Sequence, residues 1–321
     1  MDKRGPYVVK DIKKMAQGAQ VWGKFLITEK NNRKTKDGRE VVNLRIGDST
    51  GEIDVVVWEN CQVGGVLQTG KVIGILGDVG SYNNRIQITA KKVKVLDEDP
   101  SSYLKTPSVS IEELVNRFEQ MLKMVDDSYL KDLLDIIFTD DIKRAFFKAP
   151  AARKIHHNYA GGLLEHTIRV AELCIKAASI YPSLNRDLLI TGALLHDIGK
   201  IEEYEMNVLP EYTVPGRMVG HIVLGHEILD EALKKLVMTR PDMPKELPIM
   251  LKHMILSHHG SLEYGSPVKP LFPEALLLHM MDNLDAKLYV FMNRIEEEED
   301  EEGLFTSYDT FFEQYFFKYR Y

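Results

Sequence analysis

The sequence predicts a multidomain chain in which an all-β barrel precedes an all-α helical bundle. Between residues 20 and 96, apolar and polar residues alternate in short runs rich in β-branched residues, with turn signals between the runs. After residue 102 the apolar residues recur at spacings of three and four, which is typical of amphipathic helices. A length of 321 residues also exceeds that of most single domains. We therefore expect two domains, 1–98 and 99–321, joined by a polar linker.

The N-terminal part contains five short runs with the pattern of β-strands. They cover residues 21–27, 41–46, 51–58, 72–76 and 85–89, and the turn signals between them lie at 36–38, 48–51 and 83–84. Five strands within about 75 residues match the size of an OB-fold barrel. The Lys-rich stretch 30–39 resembles the first long hairpin loop of such barrels. The sequence therefore predicts an N-terminal OB-fold.

The charge distribution supports a nucleic-acid partner for this barrel. Residues 1–100 hold 17 Lys and Arg against 13 Asp and Glu, whereas the rest of the chain holds 24 against 35. OB barrels bind single strands by stacking bases on aromatic rings in a basic groove. The candidate residues for single-stranded RNA or DNA are Trp22, Phe25, Trp58 and Tyr82 for stacking, with Lys24, Lys34, Lys36, Arg45, Arg85, Lys91 and Lys92 for phosphates, and Arg85 is the preferred single residue. A barrel Trp more often lies in the core, so this hypothesis depends on the group and not on either Trp.

Cysteine content and the N-terminus bear on the compartment. Cys61 and Cys174 lack the spacing of a zinc ribbon and do not form a disulfide framework. The N-terminus is charged and has no apolar signal-peptide core, and no apolar run reaches the length of about 18 residues that a membrane span needs. We expect a cytoplasmic protein with no membrane partner. The acidic run 296–302 is interpreted as a solvated segment.

The C-terminal part is expected to be helical throughout, except for loops at 209–217 and 260–273. Ser110 followed by Glu113 fits a capping box at the start of the first helix. Near the end of the chain, four aromatic residues have the i, i+3, i+4, i+7 spacing of a helix stripe: Phe312, Tyr315, Phe316 and Tyr319. This aromatic helix is expected to pack on the helical domain or on a neighbouring subunit of a homo-oligomer, in preference to binding a base.

A series of His and Asp residues predicts a metal centre in the helical part. All ten His follow residue 155, and His196-Asp197 ends an apolar run that begins at Ile190. Taken by themselves, the side chains of a buried His-Asp pair could hydrogen-bond to each other or cap their helix, without binding a metal. However, further His and Asp residues lie on separate helical segments, and a helical bundle brings ligands from several helices to one point. They are His166, His221, His226, His258, His259 and Asp282. Imidazoles and carboxylates both bind divalent metals.

The order of this series resembles that of the HD metal-dependent phosphohydrolase superfamily. The resemblance implies that His166, His196, Asp197 and Asp282 hold one metal, and that His221 and His258 share Asp197 with a second. His226 is the alternative to His221, and His259 is expected as a ligand or a phosphate contact. The other four His, at 156, 157, 253 and 279, match no motif position, although His156 and His157, with Arg153 and Lys154, could line a substrate path.

Such a pair of metals implies hydrolysis by water and not by a nucleophilic side chain. Two metals about 3.5 to 4 Å apart can activate a water and stabilise both the attacking and the leaving oxygen of a phosphodiester. Asp197 would be catalytic as the bridging ligand. Lys200, one helical turn further, is expected to neutralise a phosphate oxygen, and a solvated helix-end lysine is the alternative. Nitrogen and oxygen ligands suit Mn, Fe, Co or Zn.

Taken with the barrel, nearly the whole chain resembles the YhaM-type 3′→5′ exoribonucleases of bacteria. The resemblance rests on GGLLEHT (161–167), LLHDIGK (194–200), GHIVLGHE (220–227), ILSHHG (255–260) and LHMMDNLDA (278–286). It implies a manganese-dependent exonuclease that acts on RNA and single-stranded DNA. The direction of digestion comes from the resemblance alone.

Two other functions compete with this one. A nucleotide or cyclic-dinucleotide phosphohydrolase would need no barrel, and the HHExxDGxGYP signature of one such branch is absent because 257–261 diverges after the paired His. A non-catalytic single-strand-binding protein with a degenerate HD domain is the third hypothesis. The complete ligand series argues against it, because a decayed site is expected to lose a ligand.

Overall fold

The computed structural model describes residues 5–35, 38–82, 85–104, 106–107, 109–152, 159–296 and 303–319. It consists of a β-barrel followed by a helical bundle, so the predicted fold class is confirmed. Two compact units are found: Met1–Thr106 together with Asn293–Tyr321, and Pro107–Met292. The predicted second domain, 99–321, differs from this division because it includes residues 293–321, which belong to the first unit. Several sequence-predicted features lie outside the described residues, namely turn positions 36–37 and 83–84, the candidate substrate-path residues 153, 154, 156 and 157, and acidic residues 297–302.

The barrel contains five long strands and one short strand. A short helix, α1 (Val9–Ile12), precedes β1 (Gln20–Lys34), β2 (Glu40–Asp48), β3 (Gly51–Trp58), β4 (Gln62–Gly64), β5 (Val72–Tyr82) and β6 (Arg85–Leu96). Neighbouring strands run in the order β3-β2-β1-β5-β6, and a parallel pairing of β3 with β6 closes the barrel. Residues 30–34, expected from their lysines to lie in a loop, instead continue β1 in pairing with β2.

The alternation along the strands decides which side chains are exposed. In β1, Val21 and Phe25 point into the barrel, whereas Trp22 and Lys24 between them point outward. Phe25 is 1% exposed and belongs to the barrel core, so its predicted role as a base-stacking platform is wrong. The period of two along a strand sends Phe25 to the opposite side from its neighbour Lys24. In β3 the same alternation buries Ile53, Val55 and Val57.

The second unit is a helical bundle. Its helices are α2 (Ile111–Lys123), α3 (Ser128–Ile137), α4 (Asp140–Lys148), α5 (Gly162–Ile180), α6 (Arg186–Leu195), α7 (Lys200–Glu203), α8 (Val214–Met218), α9 (His221–Thr239), α10 (Glu246–Ser257) and α11 (Pro273–Glu296). The Ser110 side chain accepts a hydrogen bond from Glu113 N at 3.2 Å, so the predicted N-cap of α2 is confirmed. Helices α5 and α6 lie in the centre of the apolar core, as their many buried residues show.

The predicted loop at 209–217 contains regular structure. Strands β7 (Tyr204–Met206) and β8 (Pro210–Tyr212) form an antiparallel hairpin, and α8 follows behind an N-cap at Thr213. In the predicted loop at 260–273, a short 3₁₀ turn covers Leu262–Tyr264. In the part of the chain that the structure describes, the helices lack the combination of length and apolar character needed to cross a membrane.

The C-terminal segment does not form the predicted aromatic helix. Residues 303–319 carry two antiparallel bridges, Phe305 with Phe317 and Asp309 with Gln314. The Asp309 carboxylate accepts hydrogen bonds from the backbone nitrogens of Phe311 and Phe312, which favours a turn over a helix. Of the four aromatic residues in the expected stripe, Phe316 is buried at 1% exposure, whereas Tyr315 and Tyr319 are exposed. The spacing of aromatic residues alone therefore predicted the wrong element.

Candidate metal centre

The His196-Asp197 pair lies in the interior of the bundle, where α6 ends. Helix α6 starts behind Asn185, whose side chain accepts a hydrogen bond from Leu188 N at 3.0 Å. All residues from 188 to 200 are buried, and His196 and Asp197 are 0% and 2% exposed. The apolar run of α6 thus carries two polar side chains into a packed core, where they need partners.

Gly199 allows the chain after this pair to approach α9 closely. A Cβ added to Gly199 would overlap the carbonyl oxygen of His221 and the backbone nitrogen of Gly225. The backbone of Gly199 has ordinary helical angles, so the absence of a side chain matters here and not an unusual conformation. This contact places His221, the first residue of α9, beside Asp197.

A first group of ligand atoms surrounds Oδ2 of Asp197. Nε2 of His166, from α5, lies 3.5 Å from Asp197 Oδ2 and 3.1 Å from Oδ1 of Asp282, from α11. Nε2 of His196 lies 3.3 Å from the same Asp197 oxygen and 3.3 Å from His166 Nε2. The ligand atoms of His166, His196 and Asp197 lie within 4.8 Å of one another. Two helices and the end of a third therefore supply one candidate site.

A second group surrounds the other oxygen of the same carboxylate. Oδ1 of Asp197 lies 3.5 Å from Nε2 of His221 and 3.5 Å from Nε2 of His258. A ring nitrogen of His259 lies within 4.8 Å of the other ligand atoms of this group. Asp197 Oδ1, His221 Nε2 and His258 Nε2 are buried and make no hydrogen bond within the described residues. Buried polar atoms rarely lack a partner, so their convergence fits a bound cation.

The second ring nitrogen of each imidazole is held by an acceptor. Nδ1 of His196, His258 and His259 lies 2.8, 2.7 and 2.7 Å from the carbonyl oxygens of Ala193, Ile255 and Tyr264, respectively. A carbonyl oxygen can only accept, so Nδ1 must donate, and the lone pair of a neutral ring is then on Nε2. The backbone thereby sets the tautomer that a metal ligand requires.

Two carboxylates that were not expected from the sequence hold the other two imidazoles. Asp285 Oδ2 lies 2.8 Å from His166 Nδ1, and Glu203 Oε1 lies 3.2 Å from His221 Nδ1. The same Glu203 oxygen accepts a hydrogen bond from His221 N at 3.2 Å, at the start of α9. The spacing contains a usable signal, because Asp285 follows Asp282 by three residues and must share its helix face.

The electrostatics of the site favour added positive charge. Burial alone would lower the pKa of His166, but hydrogen bonds to Asp282 and Asp285 raise it to about 9. Burial would raise the pKa of Asp197, yet the Lys200 ammonium beside it holds that pKa well below its usual range. The carboxylates therefore remain ionised in the core and draw a proton to His166. A divalent cation would supply the same positive charge with fewer protons bound.

Burial favours the neutral form of two His residues of the second group, His258 and His259. Burial lowers the pKa of His258, and burial together with the nearby His258 lowers the pKa of His259 to about 3. A neutral imidazole is the form that binds a metal. Both residues thus have the protonation state of a metal ligand, although Nδ1 of each faces a carbonyl oxygen and not a carboxylate.

Lys200 belongs to the same buried cluster. Its ammonium lies 2.6 Å from Asp197 Oδ2, and the residue is 6% exposed. The alternative of a solvated helix-end lysine therefore does not apply. A lysine ammonium has three donors, so the contact with Asp197 leaves others for a phosphate oxygen.

The remaining His residues lie outside both ligand groups, in so far as the structure describes them. His226 is half-buried on α9 and is not brought to the centre. His253 Nε2 accepts a hydrogen bond from Leu271 N at 3.0 Å. His279 Nδ1 lies 2.7 Å from the carbonyl oxygen of His258 and so supports the backbone of a candidate ligand.

The candidate nucleic-acid residues of the barrel are less tightly grouped. Trp22 and Tyr82 are 36% and 67% exposed, and Arg85, which pairs with Tyr82 across the β5–β6 hairpin, is also exposed. Trp58 is half-buried, and the Arg39 guanidinium lies over its ring at 5.8 Å. Lys24 makes an ion pair with Glu98 at 2.6 Å.

Comparison with known proteins agrees with both halves of the chain. An HD domain family model matches residues 163–287, and a model of an OB-fold nucleic acid binding domain matches residues 26–96. A solved structure, the OB domain of MM0293 from Methanosarcina mazei, is 23% identical over 29% of this chain and 85% of its own length, with a TM-score of 0.25.

Curated relatives match most of the chain. The 3′-5′ exoribonuclease YhaM of Geobacillus sp. (strain WCH70) is 30% identical over 87% of this chain and 86% of the relative. The protein of the same name from Bacillus subtilis (strain 168) is 31% identical over 87% of this chain and 88% of the relative. The similarity extends over barrel and bundle together, and the chain belongs to the YhaM 3′-5′ exoribonuclease family.

Proposed function

We propose that the protein is a metal-dependent exonuclease that hydrolyses phosphodiester bonds of single-stranded RNA from the 3′ end. The observation that carries the proposal is the convergence of imidazole nitrogens on the two oxygens of Asp197. Asp197 Oδ1 and two of these nitrogens, His221 Nε2 and His258 Nε2, are buried without a hydrogen-bond partner in the described chain. The polarity and the RNA substrate are taken from the names of the relatives. Single-stranded DNA is a second substrate of the same proposal.

The donor set fits two divalent cations. His166, His196, Asp197 and Asp282 would hold one, and His221, His258 and Asp197 the other, with His259 as a further ligand or a phosphate contact. Mixed imidazole and carboxylate donors suit Mn, for which Fe, Co and Zn are the alternatives. When bound, such ions supply an activated water and offset negative charge on the phosphodiester.

The protein's own residues hold the candidate metal ligands in position for this reaction. The carbonyl oxygens and carboxylates at Nδ1 fix each imidazole, so the ligand atoms are positioned before a substrate arrives. Lys200 neutralises part of the Asp197 charge and offers a donor to a phosphate oxygen. Burial of the centre excludes bulk water, which strengthens each of these electrostatic contacts.

The barrel would hold the single strand while the bundle hydrolyses it. We assign residues 1–98 to binding and 99–321 to hydrolysis, as the two sequence-predicted domains. The lysines and exposed aromatic side chains of the barrel are the groups that bind single strands without reading their sequence. Longer substrates should therefore bind more tightly than mononucleotides.

Digestion of a single-stranded RNA labelled at its 5′ end tests this proposal. We expect a ladder of labelled products that shorten from the 3′ end, no digestion after chelation, and recovery when Mn is added back. If intact RNA remains with every metal while free nucleotides or cyclic dinucleotides are hydrolysed, the exonuclease assignment is wrong. A label at the 3′ end provides the control, since it should be released in the first step.

Asp285→Asn should weaken metal binding without removing a ligand. The amide of this variant can still meet His166 Nδ1, but it carries no charge to support the ring, and the loss of such a supporting contact typically costs 10- to 100-fold in metal affinity. The measurement is activity and calorimetric binding against Mn concentration, and excess Mn should restore the rate. Asp135→Asn, which changes an exposed carboxylate on α3, is the matched control. An unchanged Mn titration for Asp285→Asn would show that Asp285 does not act through His166.

A further inference from the structure

We infer that the single strand binds the outer surface of β1, β5 and β6, centred on Trp22, and not the outer surface of β2 and β3. This inference rests on the proposed function, because it names the surface by which the barrel would hold its substrate. The surface of β1, β5 and β6 is called the lysine face here. Its members are Trp22, Lys24, Gly74, Leu76, Lys92 and Lys94.

The strand register places these residues in two adjacent rows. Trp22 on β1 pairs with Leu76 on β5, which pairs in turn with Lys92 on β6. In the next row, Lys24 pairs with Gly74, and Gly74 pairs with Lys94. Residues that pair across strands lie on the same side of the sheet, so an aromatic ring and an apolar side chain are bordered by lysines on both outer strands.

The side chains of this surface are accessible. Trp22 and Leu76 are 36% and 37% exposed although both are large and apolar, and Lys92 and Lys94 are exposed as well. Gly74, which lies between Lys24 and Lys94 in the second row, adds no side chain to the sheet surface. An exposed apolar centre of this kind suits contact with a base, and the lysines around it suit the phosphates.

Within the described part of the chain, the two lysines of β6 have no competing partner. No ion pair to Lys92 or Lys94 is made by the residues that the structure describes. Lys24 is paired with Glu98, and the neighbouring Lys91 is paired with Asp78 at 2.6 Å. Lys92 and Lys94 are therefore available to a polyanion.

The central cation on the outer surface of β2 and β3 is already paired with carboxylates. OB-folds generally bind oligonucleotides on these two strands and on the adjacent loops. Here the central cation of that surface, Arg45, is bound by Glu52 at 3.1 Å and by Asp54 at 3.0 Å. A phosphate on this surface would have to compete with these two carboxylates for the Arg45 guanidinium.

A second aromatic side chain extends the lysine face along β5. Tyr82 has the same parity as Leu76 on β5 and lies six residues further, roughly 20 Å at the usual rise per residue. It is 67% exposed and pairs with Arg85. A strand that crosses Trp22 and continues along β5 would thus reach a second ring and a second cation.

The test compares two charge reversals of equal size in the full chain. Lys92→Glu/Lys94→Glu changes the lysine face, and Arg33→Glu/Lys34→Glu changes exposed cations at the end of β1, beside β2. Binding of a fluorescent 12-nucleotide RNA is measured by anisotropy in an Asp197→Asn background, which keeps the RNA intact. Thermal melting verifies that each variant is folded.

We expect Lys92→Glu/Lys94→Glu to bind the RNA about 25-fold more weakly than its parent at 0.1 M salt. The plot of log affinity against log salt should become less steep by about 1.4, because each phosphate contact to a single strand contributes about 0.7. The Arg33/Lys34 pair should lose less than about threefold. Equal losses for both pairs, or a larger loss for Arg33/Lys34, would overturn the inference, as would a failure of the parent protein to bind the RNA.

Tryptophan fluorescence provides an independent readout, because the chain contains two Trp residues, Trp22 and Trp58. RNA should quench the fluorescence of Trp58→Phe, in which Trp22 remains, and leave that of Trp22→Phe unchanged. Trp22→Ala should weaken binding about 5- to 150-fold, the usual range for loss of one stacked base. Quenching in Trp22→Phe alone would place the strand on the other surface.

Failure of the proposed function is distinguishable from failure of this inference. If wild-type protein binds the RNA through the lysine face but does not digest it, the inference stands and the exonuclease proposal does not. If wild-type protein digests RNA and the lysine-face pair binds as tightly as its parent, the reverse holds.

Discussion

Asp197→Asn is expected to abolish phosphodiester hydrolysis, with a fall in kcat/KM of at least about 10³-fold, which corresponds to about 4 kcal/mol of transition-state stabilisation. The reason is that one carboxylate serves both ligand groups: Oδ2 faces His166 and His196, whereas Oδ1 faces His221 and His258. An amide offers a single neutral oxygen and cannot serve both groups. The measurement is the steady-state digestion of 5′-labelled RNA, with Asp135→Asn as the control.

The same variant should bind fewer metal ions. We expect two Mn ions per chain in the wild-type protein by calorimetry and elemental analysis, and at most one in Asp197→Asn. A wild-type stoichiometry of one would contradict the two-ion proposal, even if the variant were inactive. If the variant keeps two ions and full activity, Asp197 is not a ligand of the metal centre.

Loss of activity through misfolding must be separated from loss through the missing ligand. Removing one member of a buried ion pair costs about 3–5 kcal/mol, and Asp197→Asn leaves the buried Lys200 without its carboxylate. The double variant Asp197→Asn/Lys200→Met removes both charges and should recover stability. It should remain inactive, because the stability is regained without the ligand.

The sequence identifies the candidate ligands because they form an ordered series of His and Asp on separate helical segments, and that order resembles the HD superfamily. The structure brings six of these residues together: His166, His196, Asp197, His221, His258 and Asp282. The supporting carboxylates were missed because Asp285 and Glu203 resemble ordinary helix residues in a sequence. Their role depends on which imidazole nitrogen they face, and that is a property of the packed bundle.

Two local sequence patterns of this chain are each compatible with two structures. Phe25 and Trp22 are both aromatic residues of β1, and they lie on opposite sides of the strand because side chains alternate. Which of the two sides faces the core is set by the packing of the barrel. The aromatic residues after 311 have helical spacing, but the Asp309 side chain stabilises a turn. In both cases tertiary packing or a side-chain hydrogen bond overrides the pattern.

Gly199→Ala is expected to destabilise the helical unit although it adds a single methyl group. The added Cβ would meet the backbone of His221 and Gly225, and backbone atoms cannot move aside by changing a rotamer. Overpacking of this kind costs about 1–3 kcal/mol or more, which corresponds to a fall in Tm of roughly 2–12 °C for a unit of this size. The measurement is thermal melting of the full chain.

Gly199→Ala also tests the link between packing and the metal centre. Relief of the overlap requires α9 to move away from α7, and His221 would move with it, away from Oδ1 of Asp197. We therefore expect the variant to lose affinity for one Mn ion more than for the other, even well below its Tm. Gly64→Ala is the matched control, because a Cβ there has its nearest atom at 3.7 Å and β4 is exposed. A variant that melts like Gly64→Ala and binds both ions normally would show that the bundle tolerates a wider gap at this point, and that His221 is positioned by Glu203 instead.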